Sequence, residues 1–117
     1  MQVHDFTLLL GSQDPRRLAD FYGGVLGLEQ LPSKNHLVFR LPGARLRIID
    51  HSEVGPSAAE PQRLILNLFV DDARAELARL EPHGVTVVRP PAVMGWGGYV
   101  VTIADPDGNY LQLIEGS

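Results

Sequence analysis

Leu46-Arg47-Ile48-Ile49 and Leu111-Gln112-Leu113-Ile114 decide the fold, because each closes one half of the chain on the same apolar, polar, apolar, apolar pattern. Upstream of the first, Pro42-Gly43 suits a tight turn between strands His36 to Leu41 and Ala44 to Asp50. Further upstream, Asp14 before Pro15 is an N-cap followed by the residue best tolerated at a first helical position. Leu18, Phe21, Tyr22, Val25 and Leu26 then recur on one helical stripe, and Gly27 supplies a left-handed stop. Phe6 to Leu10 is short and apolar, which predicts a strand ahead of that helix.

The second closing stretch has the same antecedents. Leu64 to Val70 reads as a strand, Asp71-Asp72 as a cap, and Ala73, Leu77 and Leu80 as a helix that ends near Gly84. Val85 to Arg89 reads as a strand broken by Pro90-Pro91. Tyr99 to Ala104 then pairs with Tyr110 to Glu115 across the turn Asp105-Pro106-Asp107-Gly108-Asn109. Residues 52–62, rich in Ser, Gly, Pro, Ala and Glu and without period, read as a connector. The expectation is one α+β domain over 1–117, with a βαβββ module over 1–51, a linker over 52–62 and a second βαβββ module over 63–117. The two modules are expected to give curved, mixed, mostly antiparallel sheets in an open cup shape, with the helices outside.

The 117 residues suffice for one domain with a buried core. A net charge of -4 without a basic cluster argues against nucleic acid, since phosphate binding needs concentrated positive charge. The absence of cysteine excludes disulfides, thiolate metal sites and a cysteine nucleophile. No stretch approaches the ~20 apolar residues of a membrane span, and Met1 to Asp5 lacks the run of a signal peptide. The expected setting is soluble and cytoplasmic. Gly23-Gly24 and Gly95 to Gly98 form no phosphate loop, because no Gly-Lys-Ser/Thr follows either. Asp105 and Asp107 are better explained by turn geometry than as catalytic acids.

Arg17-Leu18-Ala19-Asp20-Phe21-Tyr22, followed by Val25-Leu26-Gly27-Leu28-Glu29, resembles the first-helix signature of the vicinal oxygen chelate (VOC) superfamily. That group includes glyoxalase I, extradiol dioxygenases, fosfomycin-resistance enzymes and bleomycin-binding proteins. Trp96-Gly97 and the Asp105 to Asn109 hairpin are similar to its C-terminal half. The resemblance covers nearly the whole chain and implies the glyoxalase/bleomycin resistance fold, with dimerisation common. Catalytic members hold one divalent ion with four side chains, usually His and Glu, one from each of four strands. By that resemblance the four positions fall on Thr7, Arg47, Ile65 and Gln112.

None of the four is a good metal ligand, and Arg47 is a permanent cation. The expectation is therefore no metal cofactor, with a single divalent ion as the alternative. His51 stands four residues beyond Arg47 on the same strand face, within reach of the cup rim. His4, His36 and His83 read as surface or helix-end residues. The fork of Arg47 and the amide of Gln112 suit a carboxylate, carbonyl or amide on a small ligand. Alternatively, Arg47 lies on the exposed face or pairs with Asp50 or Glu115. Leu9, Ile49, Asn67, Phe69, Val101, Ile103 and Ile114 share parity with the four positions, and most would be core. Trp96, between glycines, either stacks over a ligand as a lid or plugs the second module's core.

The expected ligand-binding set is Thr7, Arg47, Ile49, His51, Ile65, Asn67, Phe69, Trp96, Val101 and Gln112. It belongs to a metal-free, bleomycin-resistance-like binding protein that sequesters an apolar or aromatic small molecule as a homodimer. One alternative is a lyase, isomerase or dioxygenase with an altered metal set of His51, Gln112 and Glu115. Another is a pseudoenzyme acting as an interaction protein.

Overall fold

A computed structural model describes residues 1–34 and 36–116. The chain divides into two compact units, Met1–Pro56 and Ser57–Ser117. No helix among the described residues is long and apolar enough to cross a membrane.

In the first unit, β1 (Thr7–Ser12) leads into α1 (Pro15–Ala19), and β2 (Leu37–Leu41) and β3 (Ala44–Asp50) follow. The Asp14 carboxylate accepts from the amide of Arg17 at 3.2 Å, so the predicted cap forms. Instead of one continuous α-helix, Asp20–Val25 is a wider π-helical turn, with the Leu26 amide donating to the Phe21 carbonyl at 2.8 Å. Gly23 lies within this turn, and a Cβ there would stand 2.8 Å from Cε1 of Phe39, so the ring packs directly on the helix backbone. Gly27 then adopts φ 85°, a left-handed ending, and the Leu28 amide donates to the Tyr22 carbonyl at 3.0 Å, one residue wider than the usual closing bond of an α-helix end.

The sheet order is β1-β3-β2, with β1 parallel and β2 antiparallel to β3. The outer strand of this module is reduced to one bridge, Gln30 with Phe39. It is flanked by hydrogen bonds from Leu31 to the Val38 carbonyl and from Arg40 to the Glu29 carbonyl. Pro32, which has no amide to donate, follows at once. Leu18, Tyr22, Phe39, Leu46 and Ile48 are almost fully buried, and α1 packs on β3.

The second unit contains β4 (Leu66–Phe69), α2 (Ala73–Leu80), a 3-10 turn Glu81–His83, β5 (Thr86–Val93), β6 (Tyr99–Ala104) and β7 (Tyr110–Glu115). Its order β4-β7-β6-β5, with β4 parallel to β7, repeats the topology of the first unit in full. Asp72 caps α2 by accepting from Ala75 at 2.9 Å. Gly84 ends the helical segment at φ 73°.

Pro90-Pro91 do not end β5. The strand runs on to Val93, with register shifts between Val87 and Arg89 and between Arg89 and Ala92. Prolines are tolerated on an edge strand and at a register shift, and Pro90-Pro91 have both, lying on the outer strand between Arg89 and Ala92. Val101, Ile103 and Leu111 are fully buried and α2 packs on β6 and β7. The Asp105 carboxylate accepts from the amides of Asp107 and Asn109, so the acidic pair belongs to the turn, as its sequence predicts.

Candidate binding pockets

Each sheet turns one face to its helix and leaves the other for a pocket. In the first unit Leu46 and Ile48 point to the helix side, and alternation sends Arg45 and Arg47 to the opposite face. In-register parallel pairing brings Thr7 beside Arg45 and Leu9 beside Arg47, while antiparallel pairing brings Val38 opposite Arg47. With His36 these residues line a cavity of about 450 Å³.

Its charges are unevenly matched. Arg45 Nη1 lies 3.1 Å from the Asp5 carboxylate. Arg47 has only His36 among the described residues, with Nη2 at 2.9 Å from Nδ1. A guanidinium carries no acceptor, so the imidazole nitrogen must accept. The Nε of Arg47 is buried with no hydrogen-bond partner. Among the described residues neither Asp50 nor Glu115 pairs with it, and His36 is exposed, as the sequence reading has it, while also meeting Arg47. The two-residue turn at Pro42-Gly43 fixes the register that sets His36 next to the Arg47 row, a signal available in the sequence.

In the second unit Asn67 pairs with Gln112 and Phe69 with Ile114, all on the face away from α2. Val100, Met94 and Trp96 complete a cavity of about 510 Å³. It is mostly apolar, with two amides. Gln112 Nε2 makes one long contact, 3.5 Å, to the Thr102 hydroxyl. Trp96 is 53% exposed, so it does not plug the core. Its loop closes through the Met94 amide to the Gly98 carbonyl, and a Cβ at Gly98 would collide with the indole ring and with the carbonyl oxygen of Glu115.

Several expected positions fall elsewhere. Val101 is fully buried and pairs with Leu113 on the helix side, as Ile103 does with Leu111, so neither can line this pocket. The five-residue turn pairs Thr102, not Val101, with Gln112. Ile65 is exposed just ahead of β4 and outside the cavity lining, and Ile49 is half-buried beyond the Arg47 pocket. His51 is half-buried, lies against Gly11, and its Nδ1 accepts the Glu53 amide at 3.1 Å. Glu115 accepts the first amide of α2, from Ala73, at 2.7 Å. Leu9, Val38, Arg45, Met94, Val100 and Ile114, absent from the expected set, line the two pockets. Among the described residues no three His, Cys, Asp or Glu side chains gather as a metal site.

A model of the Glyoxalase/Bleomycin resistance protein/Dioxygenase superfamily matches residues 5–113. No curated protein matches the chain. Among solved structures, TnmS3, an antibiotic binding protein from Streptomyces sp. CB03234, is 26% identical with a TM-score of 0.80, covering 99% of this chain and 98% of its own. Lactoylglutathione lyase from Agrobacterium tumefaciens is 21% identical with a TM-score of 0.74, over 98% and 95% of the two chains. A superfamily member from Sphaerobacter thermophilus DSM 20745 is 22% identical with a TM-score of 0.74, over 99% of each. The last two likenesses are of fold alone.

Proposed function

Because this chain belongs to the Glyoxalase/Bleomycin resistance protein/Dioxygenase superfamily, we propose that it is a metal-free binding protein that sequesters a flat, largely apolar small molecule. One observation carries the reading: the four positions where the family resemblance expects metal ligands hold Thr7, Arg47, Ile65 and Gln112. A threonine, an alkyl chain and an amide are poor partners for a divalent ion, and a guanidinium repels one. Nothing supports the altered set: His51 Nδ1 already accepts the Glu53 amide, and among the described residues no three His, Cys, Asp or Glu side chains gather. The residues present do not fit a divalent metal.

The second-unit pocket supplies what binding needs. Phe69, Met94 and Trp96 offer aromatic and polarisable surface, and Asn67 and Gln112 offer a small number of directional groups. Its volume falls in the range of small-molecule sites, ~300–1,000 Å³. The likeness to an antibiotic binding protein supports the same reading. The protein works, on this proposal, as a cytoplasmic homodimer.

Two measurements test it on protein purified without chelators. Metal content by mass spectrometry should be far below one ion per chain. Trp96, the single tryptophan, should show saturable fluorescence quenching by at least one member of a panel of polycyclic aromatic antibiotics, with a matching rise in melting temperature. One tightly held ion per chain, or a panel that moves neither signal, removes the proposal.

A further inference from the structure

We infer that the first-unit pocket is a carboxylate site, so that this protein binds a small organic monoanion through Arg47. The inference rests on the metal-free reading, and it concerns a pocket whose lining shares no residue with that of Trp96.

Two arginines two positions apart on one strand face repel each other unless something neutralises them. Asp5 takes Arg45, at 3.1 Å. Nothing acidic among the described residues takes Arg47, whose only partner, His36, is an imidazole accepting a single hydrogen bond. A guanidinium has five N–H donors, so most of the hydrogen-bonding capacity of Arg47 is unused. Its position is set by packing, with Nε buried and unpartnered, and by the one contact to His36. The result is a held cation without a counter-charge, at a cavity of about 450 Å³.

The surroundings choose the class of anion. Leu9 and Val38 flank Arg47 in register and are apolar, while Thr7 adds one hydroxyl beside Arg45. One free guanidinium matches one negative charge, and its planar donors match the two coplanar oxygens of a carboxylate. A phosphate dianion would require a second free cation or a run of backbone amides. The cavity lining supplies neither, since the charge of Arg45 is already answered. The apolar flanks suit the hydrocarbon attached to the carboxylate.

The side-chain Nε–H of Arg47 gives a direct readout in ¹⁵N-labelled protein, assigned by its loss in Arg47→Lys. Benzoate, benzamide and inorganic phosphate serve as probes. Benzoate should shift that resonance saturably, while benzamide and phosphate leave it in place. Arg47→Met should weaken benzoate binding, read by calorimetry, about tenfold or more, and Arg45→Met about threefold or less. Dispersed backbone amide spectra establish that each variant is folded, and Arg47→Lys provides a milder second variant. No shift with benzoate, an equal shift with benzamide or phosphate, or equal losses at Arg45 and Arg47 would overturn the assignment. Because metal content and Trp96 fluorescence are separate signals, failure here is distinguishable from failure of the binding reading itself.

Discussion

At Gly98 the chain has no room for a side chain, because the indole of Trp96 folds back over the backbone there and the Glu115 carbonyl closes the other side. Gly98→Ala should destabilise the protein by ~1–3 kcal/mol, the usual cost of overpacking. Chemical denaturation gives that number, and the emission maximum of Trp96 should move with it. Trp96→Ala should instead leave stability nearly unchanged, since the ring is about half exposed, while abolishing the ligand-induced rise in melting temperature. Residues of this kind were partly legible in the sequence. A tryptophan isolated between glycines has no strand or helix pattern to account for it, which singles it out. The meeting of His36 with Arg47 is legible only through the register that the Pro42-Gly43 turn sets across the hairpin, and not from either residue's neighbours. Val101 lies on the helix side for the same kind of reason: one step of register exchanges the two faces of a strand.

The helices and hairpins followed from short-range chemistry that a sequence displays openly. Asp14 and Asp72 cap helices, and Gly27 and Gly84 end helical segments with positive φ, each for a reason confined to a few residues. Asp72→Ala should cost ~0.5–2 kcal/mol through loss of the bond to the Ala75 amide, measurable as a lowered denaturation midpoint. The π-helical turn is not legible in the helix's own residues, and the Phe39 ring that packs on Gly23 within it comes from a strand sixteen positions away. Two effects oppose each other at that glycine. Alanine improves intrinsic helix propensity by ~1 kcal/mol, but its Cβ would stand 2.8 Å from a packed ring. The clash is with a buried aromatic and should win, so Gly23→Ala is expected to destabilise by ~1–2 kcal/mol net. A stabilised variant would mean that Phe39 can move aside.

For the molecule as a whole, family membership and fold were legible because the motif order repeats along the chain, and a family model covering residues 5–113 agrees. Assembly is a separate matter. The proposed homodimer predicts sedimentation at twice the chain mass at micromolar concentration, and a monomer there would count against it. The adjacent prolines of β5 also bear on behaviour in concentrated solution. They remove two successive amide donors from the edge strand of a four-stranded sheet, where its register shifts. A rim so blunted is a poor template for strands of other molecules, the usual first step towards fibrous aggregates. Restoring both donors with Pro90→Thr and Pro91→Val should leave the fold intact yet raise light scattering during prolonged storage, as the protected border becomes adhesive.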